Sequence, residues 1–387
     1  MRTAKNIVAL ASLLFILLGC KTSDYTEFTK KTYQAIGNTR LVEKDTKTMD
    51  FCVKDNRILF VGGVNGKTDT VQFDTGVSAP IVQFFTPKTA GDRQFYDYPV
   101  TTVETGTSSI GIEEIDLSFP FYDLHSYSLL YLLENASECE NKNRIDNYFL
   151  VGSGSLLQFG NILKISFSEG KIELLSQDHA IDTTEYKPIE GHYFQCIPFV
   201  KISINGNEYE CLFDTGNQAG ILLKDTERIA MVKDDDYAYE GSYGMAASGT
   251  TASQKFIVAP EEKVSLNGLS SKNYVLYVEN VSFNNVGIGF IKNYDWIFDT
   301  YNQKIYAKNR NMNYKRPIAE SQYRTSIIND NIVIINRLLN SNPVFSVGDI
   351  IESVDGTAVT EENICDIQEK LNMSADWSKV KVMVRKK

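Results

Sequence analysis

Val71-Gln72-Phe73-Asp74-Thr75-Gly76 occurs a second time in this chain, as Cys211-Leu212-Phe213-Asp214-Thr215-Gly216. Each copy follows an Asn-Gly pair between apolar runs, Val64-Asn65-Gly66 and Ile204-Asn205-Gly206. Asn65 and Asn205, like Asp74 and Asp214, lie 140 residues apart, which marks an internal duplication. Asn-Gly is the strongest short-range signal for a two-residue hairpin, because both residues tolerate the positive φ of a primed turn. Each unit therefore reads as strand, hairpin, strand and an abrupt Asp-Thr-Gly turn. One such tripeptide alone is an ordinary turn. A duplicated fold that presents one carboxylate per copy can set two of them face to face.

The paired Phe-Asp-Thr-Gly segments resemble those of aspartic peptidases, in particular bacterial proteins built from retropepsin-like lobes. The likeness continues in order. Phe149-Leu150-Val151-Gly152 and Asn285-Val286-Gly287 stand where family lobes carry an apolar-apolar-Gly segment under the catalytic turn, ahead of a short helix and closing strands. The resemblance covers about residues 50 to 310. It implies a mainly β protein with two acid-protease-like β-barrel lobes around a cleft, over 51–177 and 195–309, joined by a connection at 178–194. By the same likeness Asp74 and Asp214 are the catalytic pair, sharing one proton because two adjacent carboxylates cannot both ionise. Thr75 and Thr215 would tie the two turns together, and Gly76 and Gly216 would let backbone N–H groups approach the carboxylates. Ser78 fits a family position that bonds the outer carboxylate oxygen; the second unit departs from the pattern with Gln218, a longer donor. Gly241 to Gly249 is small enough for a flap over the cleft, and the first unit offers no assignable tip. The substrate implied is an extended peptide, with no metal and no organic cofactor.

Composition agrees with a globular β-rich chain of 387 residues: 43% apolar, 23% charged, 21 Tyr and 21 Phe beside nine Pro. A net charge of −10 argues against nucleic-acid binding. Arg2 and Lys5 precede an apolar run from Ile7 to Leu18 that ends in Leu17-Leu18-Gly19-Cys20. That run is shorter than the roughly 20 residues a membrane span needs. Residues 1–20 resemble a bacterial lipoprotein signal peptide, with Cys20 the acylated residue, so the mature protein is expected in the cell envelope, tethered outside the cytoplasm. Residues 21–50 are polar and unpatterned, as a spacer would be. Five cysteines remain after Cys20, an odd number without Cys-x-x-Cys spacing. Cys211 is expected opposite Val200 in the second hairpin, and no disulfide is expected.

Beyond a polar linker, residues 318–387 resemble a small bacterial PDZ domain of α+β type. Ile332-Val333-Ile334-Ile335 and Val347 to Gly356 read as strands and a turn, Glu361 to Leu371 as a helix, and Val380 to Arg385 as a closing strand. PDZ domains bind peptides by strand addition at a sheet edge, so a peptide at this edge is a second expected partner. His125, His179 and His192 are scattered, without His-Glu-x-x-His for zinc. Neither a Gly-x-Ser-x-Gly elbow nor a phosphate loop is present. The main reading is a lipid-anchored aspartic endopeptidase. Its rival is a non-catalytic peptide-binding lipoprotein on the same scaffold.

Overall fold

The computed structural model describes residues 28, 30–31, 40–84, 90–101, 105–132, 147–157, 161–246, 249–312, 321–339 and 344–386. The chain is mainly β, with sheets of nine, six and thirteen strands and a two-stranded ribbon. Arg57–Val64 and Lys67–Asp74 pair about Asn65 and Gly66, and Ile197–Ile204 and Asn207–Phe213 pair about Asn205 and Gly206. The central residues have φ of 49° and 76° in the first turn and 52° and 85° in the second. Both are left-handed at both positions, which Asn-Gly supplies at least cost. Cys211 lies opposite Val200, as the regular register requires, and is a buried free thiol.

Beside each Asp-bearing strand runs a parallel strand from later in its half. Asn147–Gly152 pairs with Lys67–Asp74, bringing Gly152 level with Asp74, and leads into the short helix Gly154–Leu157. Asn285–Val286 pairs with Asn207–Phe213 and leads into the short helix Ile288–Ile291. The six-stranded sheet mixes the halves in the order Lys187–Ile189, Lys304–Asn309, Tyr294–Asp299, Ile162–Ser166, Lys171–Leu175, Thr48–Asp50. Its central seam pairs Ile165 with Trp296 and Ile162 with Asp299. The core is correspondingly shared, with Phe73, Ile165, Phe213, Trp296 and Phe298 buried in one cluster. Phe213 meets Trp296 and Phe298 edge-on at ring-centre distances of 4.8 and 4.9 Å, a favoured aromatic geometry.

Three expectations need correction. The spacer ends before 50: Arg40–Glu43 pairs with the strand Tyr122–Leu132, and Thr48–Asp50 pairs with Lys171–Leu175. These are short edge strands that bury little: Val42 of the first is exposed and only Met49 of the second is buried. The connection at 178–194 likewise holds two strands, Lys187–Ile189 and Gly191–Phe194. Cys365 is disulfide-bonded, with its partner outside the described residues. A pairing between distant segments leaves no trace in local spacing. Cys20 and the whole of 1–20 lie outside the described residues, among which no helix is long and apolar enough to cross a membrane.

The C-terminal segment forms Tyr323–Ile328, Asn331–Leu338, Ile350–Val354, Thr357–Ala358, the helix Ile364–Met373 and Val382–Arg385. Tyr323, Ile332, Ile334, Ile351, Leu371 and Trp377 make a core of their own. Asn331–Leu338 also pairs with Tyr237–Gly241 of the second half, Tyr239 opposite Leu338 and Gly241 opposite Asn336. This pairing is what extends the sheet to thirteen strands.

Candidate active site

Asp74 ends its strand, and Asp214 follows directly after Asn207–Phe213, so the two hairpins deliver the carboxyl groups to one place. The threonines between them interlock. Thr75 N–H donates to Thr215 Oγ1 at 2.9 Å, and Thr215 N–H donates to Thr75 Oγ1 at 2.9 Å. Each hydroxyl then donates onward across the pair, Thr75 to the Phe213 carbonyl at 2.6 Å and Thr215 to the Phe73 carbonyl at 2.9 Å. Both threonines are fully buried. Each hydroxyl thus accepts once and donates once with no solvent competitor, so the lock has a single satisfied arrangement.

The glycines are required by what faces them. A Cβ on Gly76 would stand 2.6 Å from Asp214 Oδ1, and one on Gly216 would stand 2.2 Å from Asp74 Oδ2. Each glycine N–H donates to Oδ1 of its own aspartate at 2.9 Å. The two carboxyl groups face each other across the glycines, and two adjacent carboxylates cannot both ionise, so they share one proton. Burial, and then the charge of Asp214, hold Asp74 well above the ordinary carboxyl range. Burial also raises Asp214, but Asn285, Gly216, the Asp74 hydroxyl and Asn217 all oppose that rise. Asp214 thus has a side-chain donor, Asn285, that Asp74 lacks, and the two carboxyl groups titrate as one coupled pair.

The expected neighbours divide. Asp74, Thr75, Gly76, Asp214, Thr215 and Gly216 are brought together. Ser78 is exposed, and no hydrogen bond joins it to Asp74. Gln218 is also exposed and turns away from the carboxylates: with its amide oxygen facing the guanidinium it accepts from Arg57 Nε and Nη2, each at 2.6 Å. The second carboxylate is served instead by Asn217 N–H at 3.1 Å and by Asn285 Nδ2 at 2.5 Å. Sequence reasoning passed over both asparagines. The available signal was a polar residue in the apolar place of Asn285-Val286-Gly287.

Each half also carries a hairpin. Met245–Ala246 pairs with Gly249–Thr250 within the segment expected as a flap. In the first half Tyr96–Thr101 pairs with Thr105–Ser118, a hairpin the sequence left unassigned. Both tips lie outside the described residues. Among the described residues no cluster of three or more His, Cys, Asp or Glu side chains is arranged to hold a metal ion. No protein-family model matches this chain, and no curated protein is significantly similar to it.

Proposed function

We propose that this chain is an aspartic endopeptidase with two acid-protease-like lobes, 51–177 and 195–309, and Asp74 and Asp214 as its catalytic pair. The observation that carries the reading is the reciprocal Thr75–Thr215 lock, which sets the carboxyl groups of buried Asp74 and half-buried Asp214 against each other. Two acids set against each other, one of them buried, are costly, and a binding protein gains nothing from them. In the reaction, ionised Asp214 takes a proton from water as the water oxygen bonds the peptide carbonyl carbon. Asp74 gives its proton to the carbonyl oxygen. The resulting diol collapses with cleavage of the C–N bond, the nitrogen leaving with a proton returned by Asp214 while one diol hydroxyl gives its proton back to Asp74. The hairpins at 96–118 and 245–250 are the candidate flaps.

The lipoprotein reading of residues 1–20, with acylation at Cys20, belongs to the same proposal and puts the enzyme on an envelope membrane. So does the PDZ-like reading of 318–387, supported by its strand and helix order and separate core. Strand addition is disfavoured at the outer edge of Tyr323–Ile328. There Asn372 accepts from Thr325 N–H at 2.9 Å and Asn372 and Gln368 donate to the Thr325 carbonyl at 3.2 and 3.3 Å. Those are backbone groups a peptide would need. The unit instead braces the second flap: Ser242 N–H donates to the Ile335 carbonyl at 2.8 Å, and Asn336 Nδ2 donates to the Ser242 carbonyl at 2.8 Å.

The test incubates the purified full-length protein with a mixed peptide library from about pH 3 to 7, beside Asp74→Asn and Asp214→Asn, across the range where such a pair titrates. Cleavage by the wild type and a loss of about a thousandfold or more in each variant is expected. The rival binding reading draws on the withdrawn Ser78 and Gln218. Tight peptide binding without cleavage, unchanged in both variants, would establish it.

A further inference from the structure

We infer that Asn285 is the positioning residue that makes Asp214, rather than Asp74, the ionised member of the pair, and that Asn217 fixes its orientation. This rests on reading the pair as the water-activating dyad.

The hydrogen bonds that reach Asp214 through Asn217 and Asn285 run in one direction. The Ala219 backbone N–H can only donate, so the atom of Asn217 that it meets at 2.9 Å is Oδ1. Asn217 must then turn Nδ2 toward Asn285, whose Oδ1 accepts at 2.7 Å. Asn285 in turn must present Nδ2 to Asp214, meeting Oδ2 at 2.5 Å. Neither amide can flip without placing donor against donor at one end. Asn285 is fully buried, so no water offers an alternative partner. A buried N–H donor on a carboxyl oxygen favours the anion, because a protonated oxygen would oppose hydrogen to hydrogen. With Gly216 N–H and Asn217 N–H on Oδ1, Asp214 has donors on both oxygens.

The first half has no equivalent. Asn285 lies opposite Leu212 in the parallel pairing, and the residue opposite Gln72, the counterpart of Leu212, is Leu150. Val77 occupies the place that corresponds to Asn217. Neither side chain can donate, and Asp74 is left with backbone donors alone, from Gly76 and, across the pair, Gly216. The other charges nearby point elsewhere. Arg57 faces Gln218, and Lys292 Nζ donates to Asn56 Oδ1 at 2.9 Å, which leaves Asp74 as the ionisable group that faces Asp214. Two otherwise equivalent turns thus acquire fixed roles, Asp214 as base and Asp74 as acid.

Asn285→Leu copies the first half into the second. The acid limb of the kcat/KM profile for peptide cleavage by the full-length protein is expected to move up by about one pH unit, with KM little changed. Asn217→Val keeps Asn285 but frees it to turn, and should shift the limb the same way by less. It also serves if Asn285→Leu does not fold. In parallel, the Asp214 carboxyl is followed by pH titration of protein carrying 13C-labelled aspartate, assigned by its loss in Asp214→Asn. Its ionisation should move up in both variants. Should the wild type cleave nothing, the dyad reading fails, and this titration alone judges the role of Asn285. A folded Asn285→Leu protein with an unmoved acid limb, or an unmoved Asp214 titration, overturns the inference.

Discussion

Asp74 works against the stability of the fold that holds it. Its folded pKa, like that of Asp214, lies above the ordinary 3.8, so the native protein binds these protons more tightly than the unfolded chain does. The stability they contribute is complete below the unfolded value and is lost as pH rises through the folded values. Asp74→Asn removes that ionisation. The variant is therefore expected to gain Tm over the wild type by more at about pH 7 than at about pH 3.5, read by calorimetry at both. A gain that is equal at both, or larger in acid, would contradict this assignment of the protonated group. At this scale the sequence was legible wherever a residue type was bound to a turn. Asp74, Thr75 and Gly76 declared themselves because their copies recur at a fixed distance. Asn285 did not, because its task exists only once a parallel strand sets it beside Asp214. Ser78 and Gln218 show the converse, residues in the right place along the chain whose side chains face elsewhere.

At the scale of elements, the helix Thr226–Ala230 is anchored by an ion cluster rather than by length, which is too short to be stable alone. Asp225 caps it by accepting from Arg228 N–H at 2.8 Å. The Arg228 guanidinium grips Asp236 with both terminal nitrogens at 2.8 Å, reaches Glu262 at 3.3 Å and lies over the Tyr277 ring at 5.0 Å. Arg228, Asp236 and Glu262 are all buried. Arg228→Ala would leave the buried Asp236 carboxylate without its charge partner, while Glu262 keeps Lys233 Nζ at 2.9 Å, and urea unfolding should show a loss of about 3 kcal/mol. A loss below about 1 kcal/mol, the range of exposed pairs, would mean that the cluster is wet in solution. The hairpins were legible as elements because Asn-Gly fixes both turn and register within a few residues. Arg40–Glu43 was not, since so short a run shows no alternation and its partner, Tyr122–Leu132, comes from much later in the chain; of the Tyr96–Ser118 hairpin only the alternating Ile110 to Leu117 was legible.

For the whole molecule, the C-terminal unit was legible internally, but its attachment was not. Pairing between Tyr237–Gly241 and Asn331–Leu338 depends on edges that two separate folds happen to expose. Ending the chain after residue 312 would bare the first of these edges and leave Ser242 N–H without the Ile335 carbonyl. Such a protein is expected to melt several degrees lower and to form larger species in light scattering; an unchanged Tm and a monomeric profile would show the pairing to be dispensable. The mixed six-stranded sheet bears on how the chain is made. Ile162–Ser166 needs Tyr294–Asp299 beside it, so roughly 130 more residues must be added before that edge is covered. At about 5 to 20 residues per second, the first half waits on the order of ten seconds with a hydrophobic strand edge open. Synthesis of this chain therefore includes an interval in which its own later half is the missing chaperone.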